Sequence, residues 1–207
     1  MHRAAHGKRE WRVLISLAAA LAGAPLVPAA ADRVPDGPIA RSAGAPSRLV
    51  LRSLNFPAGG TIAVSQVYDG AGCRGGNISP GLSWAAPPPG TRSFAVMMFD
   101  PDAPGAGWWH WAVFDIPAAV RALRSGAGTA ASHSLPSGAI QVRNDWGSVG
   151  YGGPCPPPGP PHHYRLMLYA LRVPKLGLGA DATPAQVAAR ARASALAQAQ
   201  IVAIYGR

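Results

Sequence analysis

The stretch SFAVMMFDPDAPGAGWWHWAVFDIP, residues 93–117, decides the fold. Its two ends, SFAVMMF and WAVFDIP, are apolar almost without interruption, and each is the length of a strand. A strand with one face in water alternates apolar and polar residues; a continuous apolar run marks a strand covered on both faces. Between the runs lie Pro101, Pro104, Gly105 and Gly107, residues that end a ladder and turn the chain. The expectation is a hairpin, with Asp100 and His110 at its open rim on neighbouring strands. Trp108, Trp109 and Trp111 alternate across two faces there, so at least one should wall the rim.

Outward from this hairpin the signals remain those of strands. LVLRS opens one at Leu49, and YRLMLYAL (164–171) reads as another strand buried on both faces. TIAVSQVY (61–68) alternates, with Ile62, Val64, Gln66 and Tyr68 on one face, and GAIQVRND (138–145) is a half-buried candidate. Gly/Pro-rich clusters such as GAGCRGGNISPG, APPPGT and GGPCPPPGPP separate them. The fold class expected is mainly β, an antiparallel β-sandwich. One helix is expected late, with Thr183 as N-cap and Pro184 at its first position. The run AQVAARARASALAQAQIVAI then places Val187, Ala191, Ala195 and Gln198 on one stripe, beside Leu196. That face is mostly alanine, so the helix should lie close against the sheet.

The chain has 207 residues and a formal net charge of +10. The arginines are scattered, without a run of five, and the lysines are Lys8 and Lys175 alone. No motif of a nucleic-acid reader is present, and nucleic acid is not an expected partner. Arg3, Lys8, Arg9 and Arg12 precede the apolar run VLISLAAALAGA (13–24), and Ala29-Ala30-Ala31 follows as a cleavage pattern. Residues 1–31 therefore read as a signal peptide. An uncleaved anchor is the alternative, but the run is short of the ~20 residues a spanning helix needs, so no stable membrane anchor is expected. Residues 32–47, rich in Pro, Gly, Ala and Arg, read as a disordered tail, and 48–207 as the folded domain. The protein is expected to be periplasmic or secreted, an oxidising location. There Cys73 and Cys155 either pair or remain two separate buried thiols; spacing does not decide between these.

A second block with the character of a site is Tyr151-Gly152-Gly153-Pro154-Cys155-Pro156-Pro157-Pro158-Gly159, which feeds His162-His163-Tyr164. Histidines, backbone N–H groups and aromatic walls together make a small anion pocket. A carboxylate beside a histidine fixes its tautomer, the role expected of Asp100. One X-Pro bond of the DPDAP turn is a candidate for the cis form.

These blocks resemble the phosphatidylethanolamine-binding proteins, in their bacterial Raf-kinase-inhibitor-like branch. The matching text runs in order: Cys73-x-Gly75-x-Asn77-x-Ser79-Pro80-x-Leu82-x-Trp84, Pro89-Gly90-Thr91-x-Ser93-Phe94, Asp100-Pro101-Asp102-Ala103-Pro104, Trp108-Trp109-His110-Trp111, Ile116-Pro117, Asn144-Asp145, Gly150 to Pro157, and His162-x-Tyr164. The resemblance implies a β-sandwich with a C-terminal helix near a small rim pocket for phosphate-like anions. It places Asp100, Ala103, Trp108, His110, Gly153, Cys155, His162 and Tyr164 in the lining. It also implies donors at His110, at His162 and at backbone amides near Gly153 and Cys155. Three departures stand out: His163 where the family has arginine, Asp115 where it has asparagine, and Trp146 where it has tyrosine. Tyr205 is the candidate for a C-terminal pocket residue, without a motif to fix it.

Three function classes follow. The first is an exported single-domain protein holding a small anionic group, phosphate or a phospholipid head group. The second is an inhibitor of a protein partner, a kinase or a peptidase, with an envelope peptidase the better match to an exported chain. The third is an enzyme using Asp100, Asp102, His110 and His162 for acid–base or metal chemistry. There is no HExxH, no GxSxG and no nucleophile beside a base, so neither enzymatic activity nor a cofactor is expected.

Overall fold

The computed structural model describes residues 48–207; the expected signal peptide and tail lie outside the described residues. Ten strands and one helix follow in chain order: β1 (Val50–Ser53), β2 (Asp69–Gly70), β3 (Cys73–Arg74), β4 (Leu82–Ala85), β5 (Ser93–Asp100), β6 (Trp108–Pro117), β7 (Ala122–Leu123), β8 (Ile140–Gln141), β9 (His162–Leu171), α1 (Pro184–Ser194) and β10 (Ala195–Tyr205). They form a five-stranded sheet in the order β10-β9-β5-β6-β8, a three-stranded sheet β1-β4-β7, and the hairpin β2-β3, with every ladder antiparallel.

The unbroken apolar run of β5 has a direct cause. Phe94, Val96 and Met98 face a core shared with Leu51, Trp84 and Leu123 of the smaller sheet. Ala95 and Met97 face the opposite way, into a second core with Val187, Ala188 and Ala191 of α1. Each buried side chain of this size contributes about 1.5–3 kcal/mol when removed from water, and β5 collects that on both faces. The helix thus covers the outer face of the large sheet. It ends where Ala195 pairs with Leu171, at the far end of β9 from His162.

The helix starts as expected. Thr183 Oγ1 accepts from the Gln186 N–H at 3.2 Å, and Gln186 Oε1 accepts from the Thr183 N–H at 2.8 Å, a capping box with proline behind it. It does not continue to residue 204. From Ala195 the burial period changes to two: Ile201 and Ala203 are buried while Leu196, Gln198 and Gln200 are exposed. Alanine and glutamine favour a helix, but pairing along all of β9 covers an otherwise open edge, and that tertiary gain overrides propensity. Residues 61–68 form no strand of a sheet, contrary to expectation. Thr61 makes an isolated bridge to Ile204, and Val64–Gln66 tighten into a 3₁₀ turn. Ile62 and Gln66 are buried while Val64 is exposed, so these residues do not share a face. Of 138–145, Ile140–Gln141 alone pairs as a strand. No peptide bond of the described residues is cis, those of the DPDAP turn included.

Two irregularities in the β5–β6 ladder matter. Met98 faces Trp111 and Phe99 faces Trp109, which leaves His110 as an extra, unpaired residue. Phe94 faces Ile116 and Val96 faces Val113, with Asp115 inside the second irregularity at φ 56°. Bulges re-aim a side chain, and Asp or Asn tolerates positive φ better than most residues. The Asp115 carboxylate accepts from the Leu176 N–H at 2.8 Å. Burial pushes this carboxyl up from its ordinary value, against the pull of that N–H and of Lys175. In the unfolded chain it ionises near about 3.9, so above its folded value the buried charge subtracts from stability, and below 3.9 the penalty vanishes. Asp115→Asn keeps the acceptor oxygen and suits the backbone. The variant is expected to melt higher at pH 7–8, by about 2–4 °C for each kcal/mol gained, with no gain near pH 3.5. A gain equal at both pH values in thermal melts would remove the charge as the cause.

Candidate functional site

The register of the large sheet brings three strand ends together. Asp100 closes β5, Trp108 and His110 open β6, and His162 and Tyr164 open β9. Around them lies a cavity of about 170 Å³, lined by Asp100, Ala103, Pro104, Trp108, His110, Trp146, Cys155, Pro156, Pro157, His162 and Tyr164. Drug-sized ligands occupy about 300–1,000 Å³, so this space suits a head group rather than a large molecule. α1 contributes nothing to its wall.

Asp100 is held on all sides. Its Oδ1 accepts from the N–H groups of Asp102 (2.8 Å) and Ala103 (3.2 Å), which fixes the DPDAP turn and sets Ala103 and Pro104 on the wall. Its Oδ2 accepts from Nδ1 of His162 at 2.8 Å. The histidine that Asp100 orients is therefore His162, across the β5–β9 side, and not His110 of its own hairpin. Asp102 turns away from the cavity and accepts from the backbone N–H of His163 (2.7 Å) and from its Nδ1 (2.8 Å). Those two bonds hold the Asp102 carboxyl below its usual value. His163 stays on the exposed rim, and among the described residues no three His, Cys, Asp or Glu side chains converge as a metal site.

His110 is 2% exposed. Its Nδ1 lies 2.7 Å from the carbonyl oxygen of Gly152. A carbonyl only accepts, so Nδ1 carries the proton and Nε2 presents a lone pair while the ring is neutral. Burial lowers the pKa of this imidazole, opposed by the Gly152 carbonyl and the charge of Asp100. Nε2 itself is buried without a partner, as are Trp108 Nε1 and the Tyr164 hydroxyl. Burial first, then Asp100, push the Tyr164 hydroxyl up, so it stays protonated. Three unpartnered polar atoms thus belong to residues around one small cavity, in a molecule whose buried polar groups are otherwise mostly bonded.

The wall has an aromatic member that the motif reading missed. Trp146 stacks on Tyr68 at 4.2 Å between ring centroids and meets Trp108 edge-on at 5.0 Å. Its Nε1 donates to the Gly153 carbonyl at 3.1 Å. The signal was its place beside Asn144 and Asp145, which hold this turn through Gly150 O (3.0 Å) and the Trp109 N–H (2.6 Å). Gly153 is not on the wall, and its N–H is not free: it donates to Asn77 Oδ1 at 2.7 Å. A side chain at 153 would collide with the backbone of Gln66, so glycine is required there by packing, not by ligand approach. Tyr205 lines a separate surface depression with Arg207 and Thr61.

Cys73 and Cys155 are joined by a disulfide. It ties the Cys155-Pro156-Pro157 wall to β3. The bridge spans 82 positions of sequence, and the loop-entropy relation gives roughly 3–5 kcal/mol for such a span. Reduction, or Cys73→Ser with Cys155→Ser, should lower the melting temperature by about 6–20 °C and weaken any ligand seated against this wall. Melts with and without dithiothreitol read the first effect, and unchanged melting would show that the bridge closes no loop of consequence.

The phosphatidylethanolamine-binding protein family model matches residues 52–206. The UPF0098 protein YbcL of Escherichia coli is 46% identical over 149 residues, covering 71% of this chain and 81% of its own. LppC of Mycobacterium tuberculosis, whose name describes a lipoprotein, is 38% identical over 152 residues, covering 70% and 71%. The crystal structure of E. coli YbcL, described as a new member of the mammalian PEBP family, superposes with a TM-score of 0.76 at 42% identity. It covers 78% of this chain and 99% of that one. The fold and the rim cavity are those of a ligand-binding protein built on a β-sandwich. The chain belongs to the phosphatidylethanolamine-binding protein family.

Proposed function

We propose that this protein is exported and holds a small oxyanion, a phosphate or a phosphate-bearing head group, in the rim cavity. The observation that carries the reading is the set of three buried polar atoms without partners, Trp108 Nε1, His110 Nε2 and the Tyr164 hydroxyl, on residues of one wall. A buried polar atom left unpaired costs about 1–3 kcal/mol, which a ligand oxygen offsets by bonding to it. Trp108 Nε1 and the Tyr164 hydroxyl are donors. Pro156, Pro157 and Trp146 keep the wall dry and so strengthen those bonds. Asp100 acts by positioning, since its oxygens already accept from two amides and His162. The site is read as one of binding rather than catalysis.

Export is supported by the N-terminal pattern, by the disulfide, and by a relative whose name describes a lipoprotein. No helix of the described residues is long and apolar enough to cross a membrane. Inhibition of an envelope peptidase remains the second reading, carried by the resemblance alone.

The test is calorimetric titration of the chain from residue 32 with phosphate and phosphoethanolamine at pH 6. Saturable binding is expected, weakened at least about tenfold in Trp108→Phe, which removes one donor from a buried site while keeping an aromatic ring (a loss on the order of 1.4 kcal/mol). Binding undiminished in that variant would move the anion out of the cavity, and no binding by the intact chain would end this reading.

A further inference from the structure

Resting on the oxyanion reading, we propose that the cavity takes its phosphate with a proton on it: a phosphate or phosphomonoester whose P–OH donates to Nε2 of His110, in preference to a dianion or a diester. The first ground is hydrogen-bond sense. The Gly152 carbonyl, 2.7 Å from Nδ1, claims the one proton of a neutral imidazole. Nε2 is then an acceptor, and a fully ionised oxygen brought to it would meet lone pair with lone pair. Whichever way the ring is turned, the nitrogen facing that carbonyl must be the donor, so the other is the acceptor.

The second ground is charge. Among the described residues no lysine or arginine lines the cavity. The groups that face His110 are Asp100 at the end of β5, Asp145 beside Trp146, and His162 and Tyr164 on β9, whose ring lies 5.2 Å from the imidazole. Asp100 and Asp145 are both carboxylates, so the fixed charge that faces the ring is negative. A dianion would enter a largely apolar space with no net counter-charge, where burying each unit of charge is expensive. A monoanion that keeps its proton halves that charge and supplies the donor that Nε2 lacks. Trp108 Nε1 and the Tyr164 hydroxyl then donate to its other oxygens.

Below the second pKa of a phosphomonoester, about 6, the ligand brings its own proton; above it, one proton is taken from solvent on binding. In the complex the proton stays on the phosphate oxygen and Nε2 accepts from it. Affinity should therefore be level below pH 6 and fall about tenfold per pH unit from 7 to 9. A diester such as dimethyl phosphate carries one charge and no P–OH, and sulfate carries two charges and no proton. Both should bind at least about tenfold more weakly than phosphoethanolamine at pH 6, the equivalent of one pK unit.

The measurement is calorimetry on the wild-type chain from residue 32, with phosphoethanolamine, dimethyl phosphate and sulfate, in two buffers of different ionisation enthalpy. Uptake of about one proton at pH 8 and none at pH 5, with both comparison anions weak, is the expected result. Phosphoethanolamine bound at pH 8 without proton uptake, or the diester bound equally well, overturns the proton-sharing proposal and leaves the oxyanion reading standing. No saturable binding of any of the three overturns both. Nitrogen-15 spectra of the unliganded protein test the premise without any ligand: His110 is expected as a neutral ring with a single proton, on the nitrogen that faces the Gly152 carbonyl, and a doubly protonated ring at pH 6 overturns the proposal.

Discussion

The structure depends on β5 being buried on both faces and paired along both edges. Its register sets Phe99 against Trp109 on one side and Arg165 on the other. One residue further, Asp100 meets the ends of β6 and β9 together. A strand that is apolar throughout has no solvent face to slip towards, so pairing on two edges and packing against two cores fix its position. The cavity follows from this: three strands end at one level, and the turns leaving them must close over a gap.

Much of this was legible because it rests on local pattern. The apolar runs 93–99 and 164–171 are strands for the reason their composition suggests. Thr183-Pro184 caps a helix because those atoms need nothing from the rest of the chain. What was not legible depends on partners far away in sequence. Ala195–Tyr205 has the composition of a helix, and only the open edge of β9 makes it a strand. Residues 61–68 alternate like a strand, but their one bridge is Thr61 to Ile204 and their other backbone bonds run to Pro154 and to the loop 75–78, so Val64–Gln66 tighten into a 3₁₀ turn.

The site shows the same division. Its residue types were evident from the motif blocks, and seven of the eight expected residues surround one cavity. Their pairing was not evident. Asp100 was expected beside His110 because the two sit in one hairpin, but the bulge at His110 turns that ring towards Gly152 and leaves the carboxylate to His162. Gly153 reads as a ligand-approach glycine in sequence and is a packing glycine in space. Trp146 enters the wall through a backbone bond to Gly153, a contact no spacing rule predicts.

The two histidines of the cavity also differ in a way their residue type conceals. His162 has the Asp100 carboxylate on Nδ1. His110 has a carbonyl on Nδ1 and almost no exposure, so a second proton on its ring would meet only a dipole and a desolvation penalty. One ring is fixed by a carboxylate; the other is built to remain neutral and accept. His163, standing where the family has arginine, does not alter this, because it is turned outward to Asp102 on the rim. On the proposed reading, a cavity with one carboxylate-paired histidine, one neutral histidine and two neutral donors recognises the arrangement of protons on its ligand as much as the ligand's charge.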